Sequence, residues 1–130
     1  MKQSIAGIIY ANGKFLIGKR LPTGEMGNRW EFPGGKVDQG ETAEAAIKRE
    51  FFEEMGIEVE IGEKIATVSF ENKSGTSTLT AYAIEIPKTD GIRLTEHSAI
   101  RWATLSENEG LSFVDSDRLL LPMIKERYEP

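Results

Sequence analysis

Three glutamates, Glu50, Glu53 and Glu54, follow Arg49 in a segment whose apolar spacing reads as a helix. Taken at about 100° per residue, the stretch from Thr42 to Met55 places Ala43, Ile47, Phe51 and Met55 on an i, i+4 ridge, the stripe expected to face a core. Glu50 and Glu54 fall within or beside that stripe, and Glu53 lies on its flank. The three carboxylates are i, i+3, i+4 neighbours, so they repel one another by roughly a few tenths of a kcal/mol per pair even in water. They also occupy the C-terminal half of the helix, where the macrodipole disfavours anions, and partial burial raises the cost. The ordinary reading of helical glutamates is a solvated face, because Glu forms helices well. Overlap with the apolar stripe weakens it. A hard divalent cation would turn the repulsion into coordination. Carboxylate oxygens suit Mg²⁺, with Mn²⁺ as a substitute, and Mg²⁺ is commonly shared between a few carboxylates and substrate phosphates. Local conflict of this kind tends to mark a functional site.

The elements that must position these groups follow from turn and cap chemistry. Thr42 is placed as the helix N-cap, Glu44 in the first turn, and Gly56 as a left-handed C-terminal cap. Ser4 to Tyr10 and the run at Phe15-Leu16-Ile17 flank Asn12-Gly13, which predicts a β-hairpin. Leu21 to Arg29 holds Pro22, Gly24, Gly27 and Asn28 and reads as loop. Trp30-Glu31-Phe32 is a short extended piece stopped by Pro33-Gly34-Gly35. Two strands, Ile57 to Glu71 and Thr76 to Ile86, are expected around Asn72-Lys73-Ser74-Gly75, then a short strand from Ala99 to Thr104. A last helix is expected from Leu119 to Tyr128, with Pro122 in its first turn. This mixture points to an α/β layered domain.

Composition narrows the function classes. The chain has 130 residues, 39% hydrophobic and 28% charged, which fits one domain spanning 1–130. No apolar run approaches the roughly 18 residues of a membrane helix, so a cytoplasmic protein without a membrane partner is expected. Zero cysteines exclude disulfides, thiolate chemistry and Cys-ligated zinc. The single histidine, His97, excludes a multi-His metal site and reads as a plain surface residue. A net charge of −5 argues against a polynucleotide, which is held mainly by clustered Lys and Arg. It does not argue against a small phosphate substrate that a cation mediates.

The residues around the helix also match a known signature. Gly35 is followed after five residues by Glu41, then after seven by Arg49-Glu50-Phe51-Phe52-Glu53-Glu54-Met55-Gly56-Ile57. Seven fixed residue types and two hydrophobic positions are all filled, a chance match on the order of 10⁻⁸ over a chain of this length. Residues 35–57 therefore resemble a complete Nudix box, and Trp30-Glu31-Phe32-Pro33-Gly34-Gly35-Lys36 resembles the MutT-like branch. The fold this implies is an α/β/α sandwich around a mixed β-sheet, with the box as a loop–helix–loop. The chemistry it implies is hydrolysis of a nucleoside triphosphate to the monophosphate and pyrophosphate by a metal-activated water.

The resemblance also implies residue roles. Glu50, Glu53 and Glu54, with the carbonyl of Gly35, would be metal ligands. Glu53 would help to deprotonate or orient the water, and Arg49 would orient the carboxylates by charge-assisted hydrogen bonds. Glu41 looks like a structural partner across the loop–helix–loop. MutT-like proteins take a further acidic ligand from a loop six residues before a tryptophan, which is Glu96 before Trp102 here. Arg20 matches a position that contacts phosphate, with Lys36 and Gly34 as further substrate contacts. Phe32 maps to the base pocket, and Asp117 to a polar residue that hydrogen-bonds the base. The branch that prefers oxidised guanine nucleotides has asparagine there. An ionised Asp only accepts, whereas Asn also donates, which leaves room for a cytosine-type nucleotide; Asp115, Ser116 or Asp117 could instead cap a helix.

Two other readings stay open. ADP-ribose and dinucleoside polyphosphate hydrolases usually carry a marker proline or tyrosine about 16 to 18 residues beyond the box, where this chain has Lys73 and Gly75. A non-catalytic nucleotide sensor usually loses box glutamates, and all are present here. The expected partner is a small nucleotide, and the expected assembly a monomer or homodimer.

Overall fold

The computed structural model describes residues 2–73, 75–86 and 92–129. The elements in chain order are β1 (Lys2–Ile8), β2 (Tyr10–Ala11), β3 (Lys14–Arg20), β4 (Trp30–Glu31), β5 (Gly34–Lys36), α1 (Ala43–Met55), β6 (Glu60–Asn72), β7 (Gly75–Glu85), β8 (His97–Ala103), α2 (Leu105–Gly110), α3 (Asp115–Arg118) and α4 (Leu121–Tyr128). One mixed sheet runs β5-β1-β7-β6, with β1 and β7 parallel and the other pairs antiparallel. In a second, smaller sheet β3 pairs with β2, β4 and β8.

Both faces of the central strands are covered. Ile5 and Ile9 of the first segment pack with Ala46, Ile47, Phe51 and Met55 of α1. Ala6 and Ile8, pointing the other way, pack with Leu105 of α2, with Phe113 between α2 and α3, and with Leu120, Leu121 and Ile124 at and within α4. Phe15, Leu16 and Ile17 divide between the two cores in the same alternation. Burial on both faces explains why these strands read as continuous apolar runs, and helices on either side of sheet give the expected α/β class with its layered order. Gly7 permits the close contact of α1 with β1, since a Cβ there would stand 2.5 Å from the Phe51 ring.

Several elements depart from the expectation. The hairpin at Asn12-Gly13 exists, with φ of 54° and 78° as a primed turn requires, but only Tyr10 and Ala11 pair across it, with Phe15 and Lys14. β1 is not its long arm, because both edges of β1 are taken by β5 and β7. Gly34 and Gly35, expected to stop a strand, form one with Ala6 and Ile5. The segment after β8 forms α2, which the sequence reading passed over although Thr104 and Glu107 make a reciprocal capping box. The expected C-terminal helix is α4, which begins two residues later at Leu121 with Pro122 in its first turn, and a short α3 that was not expected precedes it. Ser74 of the expected turn lies outside the described residues. Among the described residues no helix is long and apolar enough to cross a membrane.

Candidate active site

α1 begins and ends where its caps require. The Thr42 hydroxyl accepts from Ala45 N at 3.1 Å, and Gly56 closes the helix at φ 70°. Arg49 binds the preceding loop to the helix. Its Nε and Nη2 donate to the two oxygens of Glu41 at 2.8 and 3.0 Å, and Nη2 also donates to the Lys36 carbonyl at 3.0 Å. Its Nη1 donates to Glu50 at 2.7 Å and to Glu53 at 3.3 Å. The Arg49 guanidinium and the Asp38 amide hold the Glu41 carboxyl down at about 2, and the same bond to Glu41 raises Arg49.

The carboxylates differ sharply in surroundings. The Glu53 side chain is 57% exposed, that of Glu50 only 17% and that of Glu54 only 4%. Burial, then the hydrogen bond with Glu50 and the charges of Glu31, Glu50 and Glu96, push Glu54 far above the usual carboxylate range. Its Oε1 is buried and has no hydrogen-bond partner. Gly35 lies against this group: a Cβ there would stand 2.6 Å from the Glu50 carboxylate. The loop before β8 is fastened to the end of α1, whose last carbonyls need donors. Arg93 N donates to Met55 O, Thr95 N to Glu54 O and the Thr95 hydroxyl to Glu53 O, at 2.8, 3.1 and 2.7 Å. Glu96 follows directly in this loop and lines the same pocket as Glu50, Glu53 and Glu54.

That pocket, of about 410 Å³, is lined by Glu31, Asp38, Glu50, Glu53, Glu54 and Glu96, with Arg20 and Lys36 as its cations. Gly34 and Gly35 form its floor. Acid outnumbers base, and a buried carboxylate oxygen lacks a donor. All-oxygen donors of this kind fit a hard divalent cation.

A second pocket of about 220 Å³ adjoins it and shares Arg20, Glu31, Gly34, Gly35 and Lys36. Its other walls include Phe32, Phe70, Leu79, Ser116 and Asp117. Phe32 is almost wholly buried, its ring against Phe113 at 5.3 Å, so it supports the pocket from the core more than it opens onto it. Asp117 is buried too. It caps no helix; its Oδ2 accepts from Phe32 N at 2.8 Å. Burial and the charge of Glu31 raise Asp117 to about 7, against the lowering pull of Phe32 N, Ser116 and Arg20. An ionised Asp only accepts, whereas a carboxyl raised in this way also has a protonated form that donates.

Two residues escaped the sequence reading. His97 is not on the surface: it is 3% exposed, in the space that Gly18 leaves by having no Cβ. Its Nε2 lies 2.8 Å from Glu31 Oε2 and 3.9 Å from Glu54 Oε1. Glu31 in turn accepts from Arg20 Nη1 at 3.1 Å through its other oxygen. A signal for Glu31 was present, a carboxylate between two aromatic residues in a short extended piece. For His97 there was none, because its burial depends on the register of β8 against β3.

Comparison with known proteins agrees with this geometry. The family model described as "NUDIX domain" matches residues 1–123. The chain belongs to the Nudix family. It is 37% identical over 117 residues to the Mycobacterium tuberculosis protein named "Putative 8-oxo-dGTP diphosphatase 2", covering 88% of this chain and 81% of that protein. It is 33% identical over 108 residues to the CTP pyrophosphohydrolase of Escherichia coli, covering 82% and 78%. Among solved structures, the solution structure of the E. coli ORF135 protein superposes with a TM-score of 0.84 at 31% identity, covering 100% of this chain and 94% of that one. This Nudix chain is thus a hydrolase by kinship, with a mixed sheet and helices ordered as in its relatives.

Proposed function

We propose that this Nudix hydrolase cleaves a nucleoside triphosphate to the monophosphate and pyrophosphate. The observation that carries the reading is the convergence of Glu50, Glu53, Glu54 and Glu96 beside Gly35 in one pocket, next to a second pocket of base size. The names of the curated relatives, a diphosphatase and a pyrophosphohydrolase acting on triphosphates, support it.

Glu50, Glu53, Glu54, Glu96 and the Gly35 carbonyl would hold Mg²⁺, or Mn²⁺ in its place. When bound, such ions neutralise phosphate charge, favour departure of pyrophosphate and lower the pKa of water. The chain's own groups do the rest. Arg49 fixes Glu50 and Glu53 through Nη1 while anchored on Glu41. Glu53, the most exposed of the three box carboxylates Glu50, Glu53 and Glu54, takes the proton of the attacking water. Arg20 and Lys36, lining both pockets, meet the phosphates, and Gly34 lines both pockets as well. The base enters the second pocket, with Asp117 at its polar end and Phe32 and Phe70 on its walls.

Because Asp117 both donates and accepts near neutral pH, a cytosine-type amine and an oxidised guanine edge each find a partner in it. A panel of ribo- and deoxyribonucleoside triphosphates, oxidised dNTPs and ADP-ribose, with Mg²⁺ or with EDTA, tests the reading. Monophosphate and pyrophosphate are expected only with metal. Orthophosphate as first product, or full activity in EDTA, would sink it.

A further inference from the structure

At the edge of the carboxylate group just described, Glu54 of that group converges with Glu31 and with a histidine that the group does not use, His97. One ligand atom from each lies within 4.8 Å of the others. The His97 ring is fully buried, with Nε2 2.8 Å from Glu31 Oε2 and 3.9 Å from Glu54 Oε1. Ligands at about 2.0–2.2 Å around a tetrahedral ion stand roughly 3.4 Å apart, a spacing that these two distances bracket. Glu54 Oε1 is buried, lacks any hydrogen-bond partner and is aimed into the gap. A buried acceptor left without a donor is unfavourable, and native structures normally satisfy it.

We propose that Glu31, Glu54 and His97 Nε2 form a site for a borderline transition-metal ion, with zinc as its probe. An imidazole nitrogen among carboxylates moves preference away from Mg²⁺ toward zinc, cobalt or nickel. The donors are already set. The ring is seated against Gly18, where a Cβ would stand 2.5 Å from it, and Arg20 holds Glu31 by Oε1, leaving Oε2 toward the ring. Binding replaces the Glu31–His97 hydrogen bond, with the ring proton at Nδ1 and the Nε2 lone pair on the ion. Entry is from the acidic pocket, which Glu31 and Glu54 both line. The site shares Glu54 with the proposed magnesium group, and only its consequence, competition between the two ions, rests on that reading.

The chain has one histidine, so its ring nitrogens give unambiguous NMR signals. Zinc is titrated into ¹⁵N-labelled protein without nucleotide, and Mg²⁺ in a parallel sample. One equivalent of zinc should shift the His97 Nε2 signal as a coordinated ring nitrogen shifts, and excess Mg²⁺ should not reproduce that shift. By calorimetry, His97→Gln and Glu31→Gln should each weaken zinc binding about tenfold or more. Ring signals that zinc does not move, or zinc affinity unchanged in both variants, would overturn the proposal. The wild-type titration needs no variant to fold. It reads the ring and not turnover, so a negative result leaves the triphosphate reaction standing, and loss of that reaction leaves the zinc site standing.

Discussion

Glu53 and Glu54 are adjacent in sequence and opposite in circumstance: one side chain is largely in solvent and the other almost sealed from it. The proposed proton-taking role is given to Glu53 because its carboxylate is the one of this pair that water reaches. Glu53→Gln should lower kcat/KM by roughly 10²–10⁴-fold while circular dichroism and melting stay near wild type. Activity that persists would move the role elsewhere on α1. Asp117 carries a prediction about pH. Its carboxyl stands at about 7 in the folded chain against an ordinary 3.8, so the folded state holds its proton more tightly than the unfolded state does. Stability from this group is therefore complete below about 4 and is lost as pH rises toward 7. Asp117→Asn, which still accepts from Phe32 N, should flatten the fall in Tm across that window; an unchanged slope would deny the raised value.

At the scale of the element, the loop–helix–loop depends on the fork between Arg49 and Glu41. Glu41 is depressed from 4.5 to about 2, so its contribution is present above 4.5 and lost as pH falls toward 2. Glu41→Gln should melt several degrees lower at neutral pH, and its Tm should fall less than wild type between those pH values. Equal slopes would mean that the fork does not hold the loop. This unit was legible in the sequence because its signals are local: a Thr cap, a Gly cap, and an apolar stripe that Glu54 interrupts. What was not legible depends on pairing between distant segments. The hairpin at Asn12-Gly13 was overextended because nothing nearby says that β5 and β7 claim β1. His97 reads as a surface residue until β3 brings Gly18 beneath its ring. The α2 capping box was local and could have been read.

For the molecule as a whole, acid dominates: the net charge is −5, and the main pocket concentrates that excess. A cation that binds only the folded chain stabilises it by mass action, about 2.7 kcal/mol at a hundredfold excess over Kd, or roughly 10 °C in Tm for a domain of this size. Mg²⁺ should therefore raise the melting temperature measured by calorimetry, and EDTA should reverse the rise. Glu50→Gln should lose most of it. A Tm indifferent to Mg²⁺ in the wild type would deny a folded-state cation site.

The parallel pairing of β1 with β7 matters for how the chain reaches its structure. Lys2 to Ile8 lie beside Ser77 to Ala83, and Phe15 to Arg20 beside His97 to Ala103. β1 and β3 find their near partners β5, β2 and β4 early, but their long pairings with β7 and β8 wait for most of the chain, and large loops must close before either sheet is complete. Long-range pairings of this kind slow folding relative to a helical bundle. On the ribosome, α1 and its glutamates emerge after Ile5, Ile9 and Leu16 but before Ile57, Val59 and Ile84, so the acidic helix spends that interval over half of its core.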